Sequence, residues 1–213
     1  MADLPDPLAV THLDDYLRSQ RPPTSELSKW PVRLLSRVTS VCVHQTAVPG
    51  GFGVKDFQIA AAMRERPDTT LDLLVQGLLW RYRKTPYHAV YSPRRRVSVV
   101  QWHPKWRTNH GNGSNRYSIG WAYDGGFTTH HTDVLDVVGG RESLTRVVET
   151  MRELGCPLRY IEAHRQHSDD RADDPGNEIW SGIVIPVAQA LGLELRETFT
   201  TGSGKAIPET WHG

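Results

Sequence analysis

The sequence predicts a single α/β domain, and three observations carry that expectation. Apolar runs of strand length alternate along the chain with stretches of helical periodicity, the order in which a sheet and its covering helices are built. A valine-rich run, VTSVCVH, reads as a buried strand, while residues 141–154 place Leu144, Val147, Val148, Met151 and Leu154 on one helical face with Gly155 just past the end. The chain has 213 residues, which fits one domain with extensions better than two full domains.

Taken in order, residues 1–37 read as an N-terminal extension. Within it, 9–20 sets Leu13, Tyr16 and Leu17 on one face of a short helix, and RPPTSELSKWP breaks that helix with prolines and reads as a linker. The domain is expected over 38–197, beginning with a strand at 38–44. Helices follow at 54–66 and 71–83, separated by Pro67. Residues 87–91 and 97–102 read as two strands joined by the turn SPRRR, whose arginines form a solvated tip. A strand at 117–123 ends on Gly125-Gly126. Beyond the 141–154 helix come a short strand at 159–163, a last apolar helix at 179–191 and an irregular C-terminal tail over 198–213.

Composition narrows the function. The formal net charge is +1, so no global field points to nucleic acid or to a membrane surface. No apolar stretch approaches the ~20 residues that span a bilayer. The start, MADLPDPLAV, lacks the basic-then-apolar order of a secretory signal, so the chain is expected to be cytoplasmic as synthesised. Its two cysteines do not make a disulfide framework: Cys42 reads as a buried thiol and Cys156 sits in the turn LGCPL. A monomer is expected.

Chemistry concentrates at three places. His44 ends the first strand, His164 ends RYIEAH, and Asp174 lies in the loop that follows, within RADDPGNEIW. Strand ends and adjoining loops are where α/β folds place reactive groups. Two imidazoles and one carboxylate suit zinc and leave its fourth tetrahedral position open for water. Each residue taken singly is more often a hydrogen-bonded strand-end histidine or a turn aspartate; the combination points to a metal.

The segments around these residues resemble a family. VCVHQTA, PYHAVYSPRRRVSVVQ, HGNGSNRYSIG and AHRQHSDDRADDPGNEIW, in that order, are similar to the four signature segments of the zinc amidases that include N-acetylmuramoyl-L-alanine amidases, phage amidase-lysozymes and peptidoglycan recognition proteins. The resemblance runs from about Val38 to about Leu191. It implies a central mixed sheet flanked by helices, one Zn2+, bacterial peptidoglycan as partner, and hydrolysis of the amide between N-acetylmuramic acid and L-alanine. The lack of a secretory signal at the start fits a cytoplasmic recycling enzyme, or a route to the wall through a phage lysis or secretion system. By position, His44, His164 and Asp174 match the metal ligands and Tyr87 matches a tyrosine beside the metal. His110 and Asn115 match residues that line the groove or hold its loop. Trp102 and His103 are further candidates for substrate contact.

Two positions depart from the pattern. Where many amidases carry a glutamate, this chain has Ala122; where many carry a lysine, it has Ala172. A positioned acid–base group is worth ~10²–10⁴ in rate and an oxyanion donor ~10²–10³. Tyr87 is the candidate for the first role, and Arg171, His167 or His103 for the second. A peptidoglycan-binding module that holds zinc without cutting is the alternative reading, and a phage or effector structural protein reusing the fold is another.

Overall fold

The structure is a computed structural model that describes residues 31–47, 87–93, 96–100, 102–128 and 131–212. The helices expected at 9–20, 54–66 and 71–83 lie outside the described residues, as do Arg94 and Arg95 of the hairpin turn.

The strands are β1 (Ser40–Gln45), β2 (Ala89–Ser92), β3 (Val97–Val100), β4 (Ser118–Tyr123), β5 (Phe127–Thr128), β6 (His131–Thr132), β7 (Tyr160–Ala163) and β8 (Glu194–Leu195). Six of them form one sheet in the order β3-β2-β4-β1-β7-β8, and β5 pairs with β6 apart from it. The β2–β3 hairpin is antiparallel and every other pairing in the large sheet is parallel, so the sheet is mixed. Strand β1 sits at its centre between β4 and β7 and is buried along its whole length, its polar residues Ser40, His44 and Gln45 included.

Strand alternation then divides the sheet into two chemistries. Val41 and Val43 of β1 lie in register with Ile119 and Trp121 of β4 and with Ile161 and Ala163 of β7. These residues join the buried core, together with Leu144, Val147, Val148 and Met151 of the helix α1 (Val137–Glu153). Ser40, Cys42 and His44 take the intervening places on β1, beside Ser118, Gly120 and Ala122 on β4 and Tyr160 and Glu162 on β7. One face is therefore aliphatic and aromatic, and the other is polar or small.

Helix α1 begins four residues before the sequence periodicity announces it. Asp136 caps it, its side chain accepting from the Gly139 N–H at 2.9 Å. A Cβ on Gly139 would lie 1.8 Å from the Tyr91 hydroxyl, and one on Gly140 would lie 2.4 Å from Ile183 Cδ1. Close packing, not propensity, explains two glycines in that first turn. The second helical run is α2 (Asn177–Ile179), a π-helical turn over Trp180–Val184, and α3 (Ile185–Leu191). Pro186 offers no N–H to the preceding turn, and the Gly182 carbonyl accepts instead from Arg141 Nε at 2.7 Å.

The segment before β1 is tied into this body. Val32 bridges to Trp106, and the buried Arg33 guanidinium donates to the carbonyls of Pro104 (2.8 Å), Asn115 (2.7 Å) and Ser118 (2.8 Å). Past β8 the chain is mostly irregular, as expected for the tail, yet Ile207 and Trp211 are buried and Trp211 stacks under Arg165 at 4.6 Å.

Candidate metal centre

His44 closes β1 on the polar face, and His164 follows β7, two residues beyond Glu162 on that same face. The loop after His164 folds back through successive turns. The Arg165 N–H donates to the Asp174 carbonyl at 3.0 Å, the Asp174 N–H donates to Arg171 O at 3.0 Å, and the Arg165 guanidinium donates to the Ala172 carbonyl. Asp174 is thereby brought against both histidines. Its Oδ2 lies 2.9 Å from His164 Nδ1 and 3.8 Å from His44 Nδ1, and the two imidazole centroids are 4.6 Å apart. One donor atom from each of the three residues falls within 4.8 Å of the others.

Asp174 is fixed from behind. Its Oδ1 accepts the Gln45 backbone N–H at 2.8 Å. The Gln45 side chain, on the opposite side of β1, donates to Phe127 O at 2.7 Å and to Asp173 O, and accepts from the Phe127 N–H. Gln45 thus staples the end of β1 to the ligand loop. Its sequence position, one residue after His44, was the only clue to that role.

The electrostatics suit a cation. Burial pushes the His44 imidazole down to about 4, so the ring is neutral at pH 7 and able to ligate. Burial pushes the Asp174 carboxyl up, but its contacts with His164 and His44 outweigh that and hold it below the usual carboxylate range. His44 Nδ1 is a buried nitrogen with no hydrogen-bond partner, and it faces Asp174 and His164. Two imidazole nitrogens and a carboxylate oxygen around such an atom fit Zn2+. A second group, Cys42, His44 and His110, also has ligand atoms within 4.8 Å of one another. Burial pushes the Cys42 thiol well up, which disfavours the thiolate a metal needs.

The other candidates are distributed around this centre. The Tyr87 ring lies 5.0 Å from the His44 ring, and burial raises its phenol well above the ordinary range, so the hydroxyl stays a proton donor. Arg171 projects outward, its side chain 51% exposed and its Nε 4.0 Å from Asp170 Oδ1. His167 is buried; Nδ1 meets Thr201 Oγ1 at 2.8 Å and Nε2 lies 3.4 Å from Glu162 Oε1. His110 is buried and touches His44, with Nδ1 3.1 Å from His44 Nε2. Asn115 Oδ1 accepts the Gly111 N–H at 2.7 Å, holding its loop. Trp102 and His103 are 1% and 0% exposed, and His103 Nδ1 accepts the Lys105 N–H at 3.0 Å. Ala122 lies beside His44 across the β1–β4 register. Sequence reasoning missed Glu162, a fully buried carboxylate with Arg196 Nη1 at 3.8 Å; its place two residues before His164 was the available signal.

No protein-family model and no curated protein sequence matches the chain. Solved structures do. The bumblebee peptidoglycan recognition protein PGRP-SA superposes with a TM-score of 0.52 at 11% identity, over 85% of this chain and 95% of that one. The Drosophila protein PGRP-SD superposes at 0.51 with 16% identity, over 84% and 94%. A looser likeness, TM-score 0.45 at 14% identity over 77% and 90%, is to the endolysin N-acetylmuramoyl-L-alanine amidase LysCS from Clostridium intestinale. The mixed sheet and its flanking helices are those the sequence resemblance implied, and the chain has the amidase/peptidoglycan-recognition fold.

Proposed function

We propose that the protein is a zinc-dependent amidase acting on bacterial peptidoglycan, at the amide between N-acetylmuramic acid and L-alanine. The observation that carries this reading is the convergence of His44, His164 and Asp174 around a partnerless imidazole nitrogen. The fold shared with proteins named for peptidoglycan recognition supports the substrate class.

When bound, zinc would supply the Lewis acid that hydrolysis of an unactivated amide needs. The protein's own part is to hold the ligands and manage protons. Asp174 keeps one oxygen on the Gln45 N–H and turns the other inward. Tyr87, protonated and with its ring 5.0 Å from that of His44, is the residue to which we assign donation of a hydrogen bond to oxygen at the centre.

A second reading, a zinc-holding module that binds peptidoglycan without cutting it, is favoured by Ala122 and Ala172, which put methyl groups where an acid and a cation would act. Incubating purified cell-wall sacculi with zinc-loaded protein separates the two. Release of stem peptides with a free L-alanine amino terminus, seen by mass spectrometry, is the expected result. Co-sedimentation with sacculi but no released peptide would replace the amidase by the binder.

A further inference from the structure

Behind the metal centre runs a relay that ends on the main chain. His110 Nε2 lies 3.1 Å from the Ser118 carbonyl oxygen, which can only accept, so that nitrogen carries the hydrogen. In the neutral ring Nδ1 is then bare. It faces His44 Nε2 at 3.1 Å, which must be the donor. His44, donating from Nε2, keeps a lone pair on Nδ1, the buried atom without a partner that faces Asp174 and His164.

We propose that His110 is a positioning residue for the metal centre, holding His44 in the tautomer whose Nδ1 is free to ligate. A ligating histidine commonly donates its other N–H to a carbonyl, a carboxylate or a water, which fixes its tautomer and raises its basicity. Here another imidazole takes that place and hands the bond on to a carbonyl.

The fold is built to admit it. His110 lies across Gly120, where a Cβ would come within 2.6 Å of its Cγ. The Gly120 N–H donates to His88 Nδ1 at 3.0 Å, so His88 flanks the same spot, its ring centroid 5.5 Å from that of His110. Ser118 O, the end of the relay, also accepts from Arg33 Nη1 at 2.8 Å. A residue of the segment before β1 thus pins the carbonyl that pins His110, and through it His44.

The inference rests on the zinc reading of the triad, but its first test needs no metal. In metal-free wild-type protein labelled with 15N, two-bond 1H–15N spectra of the imidazoles should show His44 protonated on Nε2 alone. The opposite tautomer overturns the proposal whether or not the protein takes zinc. Isothermal titration with Zn2+ supplies the second test. His110→Phe, which keeps a ring but removes the acceptor, should leave His44 in mixed tautomers and weaken zinc binding by ~10–100-fold, the usual effect of losing such a partner. His110→Asn, whose Oδ1 sits where Nδ1 was, should recover most of that loss. Equal zinc affinity in the wild type and the Phe variant would sink the proposal. So would loss of zinc in Cys42→Ser with retention in Asp174→Asn, since His110 would then be a ligand itself. A wild type with the expected tautomer and no affinity for zinc would defeat the metal reading alone.

Discussion

His164 Nδ1 and Asp174 Oδ2 stand 2.9 Å apart, although ten positions of chain separate the two residues. The loop between them is closed by its own main chain, and the carboxylate serves two partners with two oxygens. Oδ1 holds the end of β1 through the Gln45 N–H, and Oδ2 faces the histidines.

That division of labour separates metal binding from folding. Asp174→Asn retains an Oδ1 acceptor for Gln45 and should fold, with zinc content by elemental analysis falling to a small fraction of wild type. Asp174→Ala removes the acceptor as well and leaves a buried N–H unpaired, so urea unfolding should show an added loss of about 1–3 kcal/mol. Equal stability of the two variants would remove the structural half of the assignment.

Tyr87 is expected to matter for turnover and not for metal. Its phenol is protonated and next to His44, yet it is not among the converging ligands. Tyr87→Phe keeps the ring and should lower the rate of stem-peptide release by ~10²-fold or more at unchanged zinc content. An unaltered rate would move the proton donor elsewhere.

The cationic helper is the weakest point of the site. Arg171 points to solvent, and His167 is engaged with Thr201 and Glu162. Arg171→Ala should therefore change turnover less than twofold, and Ala172→Lys should raise it by ~10-fold, given what one oxyanion donor is worth. A severe loss in Arg171→Ala at full zinc content would show that the guanidinium swings inward during the reaction.

Acid should loosen the start of α1. Asp136 accepts from the Gly139 N–H and the Tyr91 hydroxyl and sits 3.2 Å from Arg96 Nε. The Gly139 hydrogen bond, opposed in part by burial and aided by Tyr91 and Arg96, holds its carboxyl below the usual range. A carboxyl with a depressed folded pKa adds stability that is present above its unfolded value and lost as pH falls through the folded one. Asp136→Ala should cost about 1 kcal/mol at pH 7 and progressively less below pH 4, read by thermal unfolding across pH. A loss independent of pH would assign the effect to packing instead.

Much of this arrangement was legible in the residues, for identifiable reasons. The valine-rich run VTSVCVH located β1 with His44 near its end, and the apolar stripe from Leu144 to Leu154 gave the body of α1. The candidate trio came from the order of the segments and from the habit of α/β folds of carrying reactive groups at strand ends and adjoining loops. What stayed hidden depends on pairing between distant segments. The early start of α1 is set by tertiary fit around Gly139 and Gly140, and the two-residue β8 exists only through its pairing with β7. Gln45, Glu162 and the contacts of Arg33 are invisible to periodicity, since each acts across the fold. His110 could be placed near the groove from the His-Gly segment, but its bond to His44 required coordinates.

The interleaving of two chemistries along one strand has a consequence for how such a scaffold can diversify. In β1 the residues that hold the body together and those on the face of the candidate site alternate one by one, so either set can change while the other is untouched. Swapping His44 for another side chain would remove one of the three candidate ligands and leave Val41 and Val43 in the core. A change of side chain on the polar face therefore alters the candidate site without touching the apolar face that packs the core. An inserted residue in β1 would have the opposite effect, turning valine toward the candidate site and histidine into the core in a single step. The strand thus tolerates a change of side chain at its polar positions but not a change of length.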